Sequence, residues 1–294
     1  FLDIAHPEIV IFVKYEFWVN YLLAMKRAGT KLYLISSIFR DGQIFFRPYG
    51  GLFRSALRAF RHIFVQNDSS RNLLKSIGIE QVSVAGDTRF DRVYEIAQQA
   101  KRLPEIERFA ADAPVFIAGS TWPPDEELLV GLIERYPDVK FIVAPHEIDP
   151  ARIEKFCERI SRPALRYTQL TPQSDLAAAG VLFVDTIGIL SSVYRYGRWG
   201  YIGGGFGAGI HNTLEAATFG LPLAFGPRYG KFREARDLVT LRGAASVASA
   251  EELERWFAGL HDDPDATGRS GTICKEYVLQ HKGASARIMD EICR

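Results

Sequence analysis

Short apolar runs alternate with amphipathic stretches along almost the whole chain, and this alternation restricts the fold more than any single motif. Strands are expected at Ile9–Val13, Lys31–Ser36, His62–Gln66, Val82–Ala85, Val115–Ala118, Lys140–Ala144, Leu182–Asp185, Trp199–Ile202 and Leu223–Phe225. Runs such as IVIFV and LYLIS are continuously apolar, as strands of a parallel sheet buried on both faces are. Helical patterns lie between them, which is the order of βα units. The chain has 294 residues, enough for one large or two ordinary α/β domains. A charged helical run, 93–109, is the expected connection, and a second set of strands starts afresh at Val115. Residues 262–271 read as polar and turn-rich, and 272–294 as a terminal helical stretch weakened at Gly283.

Composition excludes several classes. The net charge is only +1, which argues against a nucleic-acid polyanion as the main partner. The charge is unevenly spread, however, with 16 Lys/Arg against 11 Asp/Glu in residues 1–110. Cys157, Cys274 and Cys293 have neither disulfide-framework nor zinc-site spacing and fit a reducing compartment. No run approaches 18 apolar residues, the length a membrane span needs. The first residue is Phe1, and a strand begins within a few residues, so upstream sequence is expected.

The densest motif is the stretch 201–227, YIGGGFGAGIHNTLEAATFGLPLAFGP. It reads as strand, glycine loop, a helix opened by His211-Asn212-Thr213 and reaching Phe219, a Gly-Leu-Pro stop, then a strand. Glycines let a ligand approach the backbone, and free N–H groups at a helix start suit an anion. Asn212 and Glu215 are three apart, and His211 and Glu215 four apart, so one helix face could hold all three. A carboxylate there can accept from ribose hydroxyls. The dinucleotide pattern GxGxxG does not fit, because Ala208 stands where its last glycine belongs. A purely structural glycine turn stays open at this point.

Other polar groups fall at strand carboxyl ends, where open α/β sheets bind ligands. Glu16 and Arg40 do so, although Glu16 serves equally well as a structural carboxylate. From Arg40 to Arg61, Arg40, Arg47, Arg54, Arg58 and Arg61 are interleaved with Phe45, Phe46, Tyr49, Phe53 and Phe60. Arg54, Arg58 and Arg61 could share a helix face. Such a surface suits phosphates or a membrane interface, or is a solvated basic helix packed on its aromatic side.

Taken in order, FVKYEFWVN, the serine-arginine segment after Lys31, FVQNDSS, VAGDTRFD, IAGSTWPPDEE, IVAPHEID, DTIGILSSVY and GGG…HNTLEAATFGLPLAFGP resemble the 3-deoxy-D-manno-octulosonic acid (Kdo) transferases of lipid A assembly, in their shorter-motif, Bacteroides-type form. The resemblance runs from Ile9 to the C-terminus. It implies a GT-B fold, two Rossmann-like domains facing across a cleft, the first one incomplete. The corresponding boundaries are 1–105 for an acceptor-side domain, 106–272 for a CMP-binding domain, and 273–294 for a helical segment returning toward the first.

By resemblance, Kdo passes with inversion from CMP-Kdo to a phosphorylated lipid A precursor, with no metal and no further cofactor. The setting implied is the cytoplasmic face of the bacterial inner membrane, any anchor lying upstream. Gly119, Ser120, Thr121, Pro145, His146, Ile187, Gly188, His211, Asn212 and Glu215 carry over as contacts to the nucleotide donor. Lys14, Glu16, Arg40 and Arg89 carry over to the sugar acid or acceptor phosphates. Two departures stand out. Ala144-Pro145-His146 lacks the arginine of the family's PRH segment, and Ile187-Gly188-Ile189 replaces MGE, which removes a carboxylate. The family's general-base glutamate has no counterpart here and is expected upstream of residue 1. Alternatives are another GT-B enzyme using a UDP-sugar, a sugar-nucleotide 2-epimerase, or a nucleotide-binding domain without catalysis.

Overall fold

Eleven strands form two wholly parallel sheets among residues 2–293, the part of the chain that the computed structural model describes. The chain divides into two units, Phe1–Arg92 with His281–Arg294, and Val93–Gln280.

In the first unit the order is β1-β2-β3-β4, formed by Ile9–Val13, Lys31–Ser37, His62–Val65 and Val82–Val84. Leu32, Leu34, Ile63 and Val65 pack with Leu22, Leu57 and Leu74 from the covering helices. Each such buried side chain contributes roughly 1.5–3 kcal/mol. The expectation that Ile9–Val13 is a buried strand is corrected. It is an edge strand, paired only with β2, and Ile9, Ile11 and Val13 remain 43–46% exposed. The helix Ala284–Ile292 also belongs to this unit. Ser285 donates to Asp91 through its N (2.9 Å) and Oγ (3.1 Å), and Ile288 packs with Tyr33 and Phe64.

The second sheet has the order β11-β10-β9-β5-β6-β8-β7. Its strands are β5 (Val115–Thr121), β6 (Lys140–Pro145), β7 (Ala164–Arg166), β8 (Val181–Phe183), β9 (Trp199–Ile202), β10 (Leu223–Phe225) and β11 (Ala244–Ser246). From β5 the chain builds outward through β6 to β7 and β8, then returns to β5's other side for β9 to β11. The order therefore reverses between β5 and β9, and a reversal leaves a crevice at the strand carboxyl ends. Phe116, Phe141, Trp199, Tyr201 and Phe257 fill the core. Arg162 braces the edge of this unit by donating to the carbonyls of Ile133, Tyr136, Pro137 and Val139 at 2.9–3.2 Å.

Both sheets repeat one device. Ser36 in β2 and Ser120 in β5 adopt φ of +53° and +54°, each at a register shift near the strand end. A non-glycine residue in this region costs about 1–3 kcal/mol, and such strain collects at ligand-facing positions.

Three other expectations change. The run 93–109 is two helices, Thr88–Gln98 and Pro104–Ala110. Residues 262–271 are largely helical, within Pro264–His281, because Thr267 and Ser270 satisfy their hydroxyls on Leu260 O, Arg242 O and Gly243 O. Arg54, Arg58 and Arg61 do not form a free basic helix face. The helix ends at Leu57, Arg54 donates to the carbonyls of Phe45, Arg47 and Pro48, and Arg58 to Ile77. Among the described residues no helix is long and apolar enough to cross a membrane.

Candidate functional site

The reversal between β5 and β9 gathers most of the predicted donor contacts. Gly119, Ser120 and Thr121 end β5, and a backbone bond from Gly203 N to Gly119 O (2.9 Å) ties the glycine loop to them. A Cβ on Gly203 would run into Ser120 O and lie 2.7 Å from Thr121 Cα, so this approach requires glycine. Gly204 follows at φ +93°, in the left-handed region. The loop then closes on itself through His211 N donating to Gly203 O (3.1 Å).

Asp125 holds this geometry. It lies in the first turn of the helix Pro123–Arg135 and is fully buried. Its carboxylate accepts from Trp122 N (2.9 Å), Tyr201 Oη (2.7 Å) and Gly204 N (2.9 Å). Burial and the neighbouring Asp125 push the Tyr201 phenol far up, so it stays a donor. One buried side chain thus joins β9, the glycine loop and the turn after β5.

Three rings stand beside it. Trp122 Nε1 donates to His211 Nε2 (3.0 Å), with the two planes within 10°. The His146 ring stacks on both, centroids 4.8 Å from Trp122 and 4.2 Å from His211. His146 is placed by its own N donating to Thr121 O (2.9 Å) beyond β6, while Pro145 closes that strand. Burial, then the nearby His146, lowers the pKa of His211, and Asp125 opposes them. Trp122, Pro124, Asp125, Gly204, His211 and the loop residues 206–209 line a cavity of about 340 Å³.

The predicted helix from His211 to Phe219 is corrected. The helix is only Leu214–Thr218; His211 lies before it, its ring held by Trp122 and His146, and Asn212 Oδ1 accepts from Leu214 N (3.2 Å) at the helix start. His211 and Glu215 therefore do not share a helix face. Asn212 and Glu215 do meet, Asn212 Nδ2 donating to Glu215 Oε1 at 2.9 Å. Glu215 also lies near the end of β5. Its charge adds to the burial that pushes the Tyr194 phenol up, and a Cβ on Gly119 would meet Tyr194 Cζ at 2.9 Å. Ile187 and Gly188 sit in the loop after β8, beyond β6, with Ile187 89% exposed.

Thr121 has a second duty. Its Oγ1 donates to Glu126 Oε1 (3.0 Å), and Arg152 approaches the same carboxylate at 3.6 Å while donating to Glu147 O (2.6 Å). Burial pushes Glu126 up, opposed by Arg152 and Thr121. The loop after His146 is thereby tied to the end of β5.

The remaining candidates stand at the carboxyl edge of the first sheet. Lys14 has φ +63° and donates its N to Ile35 O (2.9 Å). Glu16 accepts from the Trp18 indole. Arg40 lines an open, aromatic cavity of about 430 Å³ with Tyr15, Phe17, Gln43, Ile44, Phe45 and Phe53. Arg89 is fixed by the buried Asp87, which accepts from its N (2.9 Å) and Nε (2.8 Å) and from Gln66 Nε2 (2.9 Å).

The family described as 3-Deoxy-D-manno-octulosonic-acid transferase (kdotransferase) matches residues 1–92. A 3-deoxy-D-manno-octulosonic acid transferase of Rickettsia bellii is 25% identical over 99% of this chain, which spans 70% of that relative. The C-terminal CMP-Kdo binding domain of WaaA from Acinetobacter baumannii superposes with a TM-score of 0.53 at 22% identity, over 65% of this chain and 99% of that one. The two parallel, helix-flanked sheets of this chain are those of GT-B-fold relatives. Its fold also matches a UDP-GlcNAc 2-epimerase from Neisseria meningitidis bound to UDP-GlcNAc (TM-score 0.65, 16% identity, 95% of this chain and 77% of that one).

Trp122, Asp125, Tyr201 and Tyr194 are site residues that sequence reasoning missed. Asp125 had one usable signal, an acid three residues after a strand-ending Thr-Trp turn, the spacing of a helix N-terminal cap.

Proposed function

We propose that the second unit binds the CMP moiety of CMP-Kdo at the β5/β9 reversal, and that the whole enzyme transfers Kdo, with inversion, to a phosphorylated lipid A precursor. The observation supporting this most is the convergence there of Gly119–Thr121, His146, His211, Asn212 and Glu215, which lie on three separate segments. Glu215 accepts from the ribose hydroxyls. The histidine rings stabilise the charge that CMP gains as it leaves. On the opposite face of the sugar an acceptor hydroxyl attacks the anomeric carbon and loses its proton to a base. Arg40 and Arg89 in the first unit are assigned to the acceptor's phosphates or the sugar carboxylate. Transfer of Kdo from CMP-Kdo to a lipid A precursor by the full-length protein tests the reading, and turnover of a UDP-sugar instead would replace it.

Glu215→Gln keeps the size and removes the charge. It should lose roughly 1.5–3 kcal/mol of CMP affinity, about one to two powers of ten, with ligand-free stability nearly unchanged. Unchanged affinity with a large loss of stability would leave Glu215 only its local bond to Asn212.

The acceptor side is assigned to the cytoplasmic face of the inner membrane, where the exposed Arg47 and Arg61 meet anionic headgroups. Reversing both charges should lower the protein's partitioning onto anionic vesicles by at least about fivefold per residue and leave CMP affinity alone. Equal partitioning of variant and parent at low salt would remove these two arginines from the membrane side.

A further inference from the structure

Trp122 holds a position that packing alone does not explain. Its backbone N donates to Asp125 Oδ2, fixing the residue at the start of the helix Pro123–Arg135. Its indole reaches across to His211, 89 residues away, and meets it edge to edge, planes within 10° and Nε1 to Nε2 at 3.0 Å. His146 covers the pair from one side, at 29° to each ring.

An indole N–H can only donate, so Nε2 of His211 must offer a lone pair. A neutral imidazole carries a single N–H, which leaves that hydrogen on Nδ1. Protonation would set two N–H groups against each other across 3.0 Å. The surroundings favour the neutral form, since burial and His146 both oppose a charge on His211 and Asp125 alone supports one. The result is a neutral histidine with a defined donor, beside a cavity walled by Trp122, Gly204 and Phe206.

We propose that Trp122 is a positioning residue that locks His211 as the Nδ1-protonated tautomer, so that His211 donates a hydrogen bond to a phosphate oxygen of the nucleotide donor. The proposal rests on the nucleotide reading of the site. It extends that reading by giving the binding imidazole a fixed polarity without a fixed charge. A neutral donor can hold the phosphate before and after the sugar leaves, and its strength does not vary with pH above the histidine's own titration.

Trp122→Phe retains a ring for the His146 stack and removes only the N–H. The test uses the 294-residue chain with isotope-labelled histidine, His211 being identified by the signal lost in His211→Gln. Long-range proton–nitrogen correlation spectra of the ligand-free wild type should show protonated Nδ1 and bare Nε2 at neutral pH. In W122F the signal should move toward the other tautomer, CMP affinity should fall about tenfold, and thermal unfolding should change little. A wild-type His211 carrying its hydrogen on Nε2 overturns the proposal, whether or not W122F folds. W122F with the wild-type tautomer, or with altered tautomer and unchanged CMP affinity, overturns it as well. A wild-type chain that binds no CMP overturns the nucleotide reading instead, and the locking is then decided by the ligand-free spectra alone.

Discussion

Gly203→Ala should abolish CMP binding and destabilise the second unit by about 3 kcal/mol, the upper part of the range for overpacking a tight interior. The reason is the nature of the obstacle. A Cβ at this position meets Ser120 O and Thr121 Cα, which are backbone atoms of β5 and cannot rotate away. Relief would require β9 and β5 to separate where Gly203 N bonds to Gly119 O, and the loop carrying His211 would move with them. Gly259→Ala is the matched control, because that glycine lies in the helix Ala250–His261, is exposed, has no positive φ, and has nothing within 4 Å of its Cβ. Thermal unfolding and CMP calorimetry on both variants check this. Equal behaviour of the two would mean that the β5–loop contact does not shape the site.

Asp125→Ala should be nearly as damaging, through a different cause. The variant leaves Tyr201 Oη and Gly204 N buried without the acceptor they share, and it removes the bond that starts the helix at Trp122. Two orphaned donors at about 1–3 kcal/mol each give an expected loss of about 3–5 kcal/mol, in the range for breaking a buried charged network. The loss should fall on the second unit, with the first unit's transition in a denaturant titration unchanged. Asp125→Asn should recover part of the loss, because one oxygen can still accept. A destabilisation below about 1 kcal/mol for the alanine variant would show that other groups hold the glycine loop.

The parallel α/β architecture was legible in the sequence wherever an apolar run was long. Val115–Ala118, Lys140–Ala144, Trp199–Ile202 and Leu223–Phe225 all lie in the centre of the second sheet, where burial on both faces demands such runs. β7 (ALR) and β11 (AAS) escaped notice because they are three-residue edge strands with few apolar groups. Helix Pro264–His281 was hidden by Gly268, Ser270 and Gly271. Those residues are poor helix formers, but their small size and the bonds of Thr267 and Ser270 to neighbouring carbonyls favour helix in place. Local propensity lost to tertiary contact there.

The site divides in the same way. His146, Asn212 and Glu215 stood out because each sits in a local polar motif at the end of an apolar run. Trp122 and Asp125 did not, since their meaning lies in partners 76 to 89 residues away. The helix expected to begin at His211 begins three residues later, where His211 N is bonded back to Gly203 O, its ring is held by Trp122 and His146, and Asn212 Oδ1 accepts from Leu214 N. The arginines of residues 40–61 were overcounted for a related reason. A guanidinium bonded to backbone carbonyls, as in Arg54, looks the same in sequence as one facing solvent.

Calorimetric titration of the 294-residue chain with CMP and with UDP tests the central claim most directly. The expected result is one CMP site per chain, with UDP binding at least about tenfold more weakly, a difference of about 1.4 kcal/mol. Tight UDP binding, or the absence of any CMP heat from a folded chain, would contradict it.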